Sequence, residues 1–185
     1  MDYTVKDVLA RLILELRGEV EGVKKLMKLV FLVQYEPLRR LPLAGRAFVK
    51  YLYGGKPVAR AEFYIWSFGP MSNEVYEALE EGPFTIEAGE PPYVVRYEGP
   101  EPRLPEPVVE RIKHVVAKYG ELMGWQLERK VIEMLKLTPE EKKLYYMGWP
   151  VDKYLRFEGA RLEERELGRG QDTDCLLYTS PSPRD

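Results

Sequence analysis

The segment Val23–Tyr35, VKKLMKLVFLVQY, constrains most strongly what this chain can fold into. Wound as a helix at about 100° per residue, it gathers Lys24, Lys25 and Lys28 into one sector of about 100°. Apolar side chains cover most of the remaining circumference. Such a helix has to be largely buried, with one lysine-rich edge left in water. Pro37 is expected to end it.

The elements that could enclose it are legible on both sides. Val5, Val8, Leu9, Leu12, Ile13 and Leu16 form one helical stripe, with Thr4 as cap and Asp7 as its capping-box partner. The stretch from Arg39 to Pro57 reads as a loop with one short helix around Ala44–Tyr51, and Val58–Trp66 reads as a strand. A Gly69-Pro70 turn follows, then a helix capped by Ser72 and running to about Glu80. Extended pieces are expected at Phe84–Ala88 and Tyr93–Tyr97. Helices are expected from Pro107, over Trp125–Lys136, and from Thr138-Pro139 to near Gly148. The fold class is therefore α+β: a mainly helical single domain with a small antiparallel sheet.

Length agrees with one domain, since 185 residues suffice for a sizeable core and make two domains the less natural division. No apolar run approaches the roughly 20 residues that span a bilayer, and no basic-then-apolar leader opens the chain, so a cytoplasmic location is expected. Asn occurs only at Asn73 and Gln only at Gln34, Gln126 and Gln171, against 28 Lys and Arg and 30 Asp and Glu; few amides and many charges suit a thermophile. Residues 175–185, CLLYTSPSPRD, back-translate into a transposase adapter used for sequencing libraries. They are read as an artefact on a truncated reading frame, the alternative being a natural Ser/Pro-rich tail. The domain is expected over residues 1–157, followed by a charged C-terminal segment at 158–174.

Charge is unevenly placed. Residues 1–70 carry twelve Lys/Arg against seven Asp/Glu, and residues 71–174 carry fifteen against twenty-two. The commoner meaning is two faces of one domain attracting each other; the other is a basic surface for an anionic partner.

The catalytic inventory is thin. Cys175, the one cysteine, falls in the adapter segment, which removes thiol nucleophiles, disulfides and thiolate metal sites. His114 is the one histidine, placed mid-helix between Glu110 and Lys118, where a polar-face role is expected. Gly54-Gly55-Lys56 lacks the spacing of a phosphate-binding loop. The adjacent acids Glu80–Glu81, Glu140–Glu141 and Glu163–Glu164 read as solvated surface. No enzyme, no cofactor and no metal is expected.

Two motifs stand out instead. Lys25–Gln34 fits K-L-x-K-L-x-[YF]-L-x-Q, and Phe63–Ser72 fits F-x-x-W-x-[YF]-G-P-x-[SV], followed by Glu74-Val75-Tyr76 and Leu79. In this order and spacing they resemble the SocA-like Panacea domain, with a weaker likeness to YwgA-type proteins, over about residues 5–155. The resemblance implies a compact α+β domain that acts as an antitoxin, binding and neutralising a partner protein, in one mode as an adaptor that delivers a toxin to an ATP-dependent protease. The family often has a Thr-His pair near a Pro-Trp. Here Leu137-Thr138-Pro139 and Gly148-Trp149-Pro150 stand in that region without the histidine, so the partner is not carried over.

Read residue by residue, Leu26, Leu29, Phe31, Trp66, Val75 and Tyr76 are expected in the core, with Trp66 and Phe68 packing the strand on the second helix. Lys25 and Lys28 have three open readings: stacked over Tyr35 or Tyr64, paired with acids of the C-terminal half, or facing a partner. With Phe68, Gly69, Pro70 and Ser72 they are the candidate partner contacts. The expected function is an antitoxin-like or regulatory adaptor that binds a toxin-like, protease or regulatory protein. The rival is a winged-helix-like nucleic-acid-binding regulator using the basic first 70 residues.

Overall fold

The Thr4 hydroxyl accepts from the Lys6 amide at 3.2 Å while the Asp7 carboxylate accepts from the Thr4 amide at 2.9 Å, so α1 (Val5–Glu15) starts in the expected capping box. The computed structural model describes residues 2–38, 46–87, 89–91 and 93–168 and has an α+β fold. A short strand β1 (Glu19–Glu21) leads into α2 (Val23–Gln34), in which every residue from Leu26 to Gln34 is buried. α2 lies against α1, and against α4 (Glu106–Tyr119) and α5 (Gly124–Leu135) from later in the chain. The enclosed helix read from the sequence is thus the centre of the core.

The chain leaves α2 directly into β2 (Tyr35–Leu38), so the helix stops at Gln34, three residues before Pro37. Pro37 sits inside β2 opposite Phe48, which an edge strand tolerates because that side needs no amide donor. The short helix expected around Ala44–Tyr51 is instead strand β3 (Ala47–Tyr53); its first part, Ala44–Gly45, lies outside the described residues. Phe48, Val49, Tyr51 and Tyr53 are aromatic or β-branched, and β3 has partners on both sides, so pairing outweighs the helical reading. β4 (Lys56–Pro57) closes a tight hairpin on β3.

The strand expected over Val58–Trp66 is confined to β5 (Tyr64–Trp66). Val58 still donates to the Tyr51 carbonyl at 3.0 Å, but Ala59 and Ala61 are buried outside any ladder, because Arg60 turns the backbone at φ +57°. The Gln34 side chain supplies what a neighbouring strand would have given: its oxygen accepts from the Ala59 amide at 3.0 Å and its nitrogen donates to the Ala61 carbonyl at 2.9 Å. β5 pairs with β6 (Gly69–Met71), and α3 (Asn73–Leu79) follows. β7 (Phe84–Ile86) and β8 (Val94–Tyr97) form an antiparallel sheet with β1; Ala88, the end of the first expected extended piece, lies outside the described residues.

Beyond α5 come α6 (Glu140–Tyr145), α7 (Val151–Phe157) and β9 (Arg161–Glu166). β9 runs parallel to β3, with Phe48 opposite Leu162 and Lys50 opposite Glu164. Two expectations change here. Among the described residues the sheet is not one small antiparallel unit but three small sheets, one of them mixed. And the charged segment after residue 157 re-enters the fold as a strand; the adapter-like residues 175–185 lie outside the described residues.

Ion pairs join the basic and acidic halves of the sequence. Lys6 pairs with Glu81, Lys24 with Glu128 at 2.9 Å, and Lys50 with Asp152 at 2.6 Å. Among the described residues no helix is long and apolar enough to cross a membrane.

Candidate functional site

The polar groups of α2 have defined destinations. Arg111 of α4 is buried at the helix C-terminus, where Nε donates to the Val33 carbonyl at 3.0 Å and Nη2 to the Leu32 carbonyl at 2.8 Å. These are among the last carbonyls of α2, which have no partner within the helix and carry the negative end of its dipole. The guanidinium also lies 4.2 Å from the Tyr51 ring centroid. Lys25 does the same for another helix: its amine donates at 2.8 Å to the carbonyl of Gly120, the C-cap of α4, and burial lowers its pKa.

Lys28 is only 2% exposed, and its Nζ donates to the Pro70 carbonyl at 3.1 Å. Burial is the main cause that pulls its pKa down to about 8; Glu128 opposes the shift, while Lys24 and Lys143 add to it. Lys143 of α6 donates to the Ser67 carbonyl at 2.5 Å and lies 3.4 Å from Glu140. Lys24 stands 4.1 Å over the Phe68 ring while pairing with Glu128. Three amines from two helices therefore hold the tip of the β5–β6 hairpin. The opposite edge is held by backbone, because the Ile65 amide donates to Trp149 and the Gly148 amide donates back to Ile65.

Strand periodicity decides which aromatics this hairpin buries. Phe63 and Ile65 point inward, and the Phe63 ring meets Phe31 edge-on at 5.3 Å. Trp66, one step out of phase, is 44% exposed, and Phe68 at the tip is 54% exposed. The expectation that Trp66 and Phe68 pack the strand on α2 is thus corrected in part: Phe63 packs there on Phe31, Phe68 meets α2 through Lys24 with its ring half exposed, and Trp66 is turned outward. Tyr76 is also exposed, on the outer side of α3, whereas Leu26, Leu29, Phe31 and Val75 are core as expected.

The candidate contacts divide just as clearly. Lys28, Gly69, Pro70 and Ser72 are buried, so they shape the turn and are not free to meet a partner. Ser72 occupies the cap position of α3, but its hydroxyl donates to the Glu74 carboxylate at 2.9 Å and makes no cap hydrogen bond. Lys25 is part-buried on Gly120, and neither lysine stacks on Tyr35 or Tyr64. Phe68 remains as the exposed candidate, joined by Trp66. Beside them, Glu128 sits one turn along α5 from exposed Trp125, whose ring has Arg129 at 5.4 Å. His114 faces solvent on α4.

Lys143, Arg111 and Glu128 were not singled out in the sequence, where they are three charges among many on amphipathic helices. What the arrangement can do is present two aromatic rings on a backbone that buried amines hold in place. No family model, curated protein or solved structure matches the chain, so its likeness to the SocA-like Panacea domain rests on the two motifs.

Proposed function

We propose that the chain is a Panacea-type protein, one mainly helical domain working in the cytoplasm, that acts by protein–protein binding as an antitoxin-like or regulatory adaptor without cofactor or catalysis. The observation that carries this reading is the exposure of Trp66 and Phe68 together on one hairpin tip. Single exposed apolar residues are ordinary. Two large aromatics on a tip anchored through Ser67 and Pro70 have the character of an interface hot spot, because little side-chain and loop freedom is left to lose on binding. The nucleic-acid reading loses its lysine stripe: Lys25 and Lys28 are hydrogen-bonded to backbone carbonyls and Lys24 is paired with Glu128.

The test is co-expression with the product of the adjacent gene, followed by calorimetry on the purified pair. Binding that falls at least tenfold in Trp66→Ser/Phe68→Ser supports the reading. Absence of binding to that product, or equal binding by the variant, counts against it. DNA binding that weakens steeply with salt would favour the nucleic-acid regulator.

A further inference from the structure

A second exposed aromatic surface lies on α6 and α7. Tyr145 is 68% exposed and Phe157 64% exposed, and half-buried Trp149 stands between them with ring centroids 6.3 and 5.3 Å away. These rings are backed by buried Tyr146, whose centroid is 4.8 Å from Trp149. Lys153 lies 4.4 Å over the Trp149 ring, and Arg156 is exposed one turn further along α7.

Of the four carboxylates on α6, α7 and the α7 C-cap, Asp152 and Glu158 are committed inward, Glu140 lies 3.4 Å from Lys143, and Glu141 is exposed one turn before Tyr145. Asp152 accepts from Tyr35 at 2.5 Å and from Lys50 at 2.6 Å, and Glu158 accepts from Tyr146 and pairs with Lys142 at 2.8 Å. Lys153 and Arg156 have no ion pair among the described residues. The end of this surface formed by Trp149 and Phe157 thus carries two cations without ion pairs, with Glu141 at the Tyr145 end. The same inward contacts hold α7 in place, as does the Tyr154 hydroxyl, which donates to the Leu135 carbonyl at 2.5 Å.

We propose that Tyr145, Trp149 and Phe157, flanked by Lys153 and Arg156, form a docking face for an acidic, apolar-containing segment of a partner protein. Carboxylates would meet Lys153 and Arg156 while aliphatic or aromatic side chains cover the exposed rings. A second copy of the chain fits poorly, because a two-fold contact through this face would set like charges against each other. A single-stranded nucleic acid fits poorly too. Its recognition needs a basic track and open ring faces, whereas here there are two cations, and Trp149 is covered by Lys153 on one side and packed edge-to-face by Tyr146 and Phe157.

The inference rests on the protein-binding reading but not on the hairpin. The probe is a random peptide library displayed on phage, panned on the full chain and counter-selected on Phe157→Ser. Enrichment of Asp/Glu beside Leu/Phe is expected. The selected peptides should lose at least tenfold in affinity with Lys153→Glu/Arg156→Glu and keep it with Trp66→Ser/Phe68→Ser. An empty or acid-poor selection overturns the proposal, as does affinity that survives the charge reversal or tighter binding of a labelled oligothymidylate. Loss only in the hairpin variant would leave the proposed function standing and remove this face from it.

Discussion

The Lys28 amine donates to the Pro70 carbonyl at 3.1 Å, which joins the two sequence motifs into one structural unit. A lysine is an unusual residue to bury, and burial without a paired carboxylate carries a cost that shows in its lowered pKa. In return, a long flexible side chain reaches from the central helix to a turn 42 residues later in the chain and satisfies a carbonyl that Pro70 places inside the protein. Gly69 supplies the backbone conformation the turn needs, with φ at +99°; a Cβ there would stand in ordinary contact with the Lys28 amine and Ile132 at 3.6 Å.

Gly69→Ala should destabilise the protein by about 1–2 kcal/mol, mainly through backbone strain, since 3.6 Å leaves room for a methyl group. Urea unfolding followed by circular dichroism measures it. An unchanged midpoint would mean that the turn does not hold this conformation in solution.

Arg111→Leu should cost more, about 3 kcal/mol, because it strands the Leu32 and Val33 carbonyls and removes the 3.4 Å ion pair to Glu36, which keeps only its hydrogen bond from Tyr51. In a chain of this length that lowers Tm by roughly 6–12 °C. Arg111→Lys should recover less than half, because an amine cannot span two carbonyls and stack on Tyr51 together. Thermal melts of the three proteins decide it, and full recovery by lysine would contradict the geometry.

A stop after Gly159 should lower stability by roughly 3 kcal/mol or more and promote aggregation, because it uncovers one side of β3. It also removes the Glu166 carboxylate, which accepts from the Gly54 and Gly55 amides at 2.5 and 3.1 Å. Glu166→Ala alone should cost about 1–2 kcal/mol. Denaturant midpoints and light scattering test both. A truncated chain as stable as the intact one would show that β9 adds nothing to the sheet.

Lys28 also predicts a pH dependence. Its folded pKa, about 8, lies below the ordinary 10.5, so the unfolded chain binds this proton more tightly. The cost of the buried charge is complete below about pH 8 and disappears as pH rises towards 10.5. Relative to Lys28→Met, the wild-type protein should therefore gain up to about 3 kcal/mol across that window and nothing below it. Unfolding free energies of the two proteins at matched pH provide the difference, and a flat difference would contradict a buried amine.

The sequence carried much of this in its periodicity. The apolar surround of α2 announced a buried helix, and Thr4 and Asp7 announced their own cap. Less legible was whatever depends on partners distant in the chain. β3 reads as a loop with a short helix until β2 and β9 are beside it. Pro37 reads as a helix terminator until an edge strand accommodates it. For the site, the alternation from Phe63 to Trp66 already held the information that Phe63 and Ile65 go in and Trp66 goes out. The general preference of large aromatics for cores obscured it. The fates of Lys25 and Lys28 could not be read, because their acceptors are backbone carbonyls, which no residue type announces.

The most direct measurement is an NMR titration of the Lys28 Cε resonance in lysine-labelled protein, assigned by comparison with Lys28→Met. A midpoint near 8 is the result expected of an amine enclosed against the Pro70 carbonyl, with the motif lysine serving the architecture that presents Trp66 and Phe68. A midpoint at the ordinary 10.5 would place that amine in water, free to contact a partner, and would contradict the account.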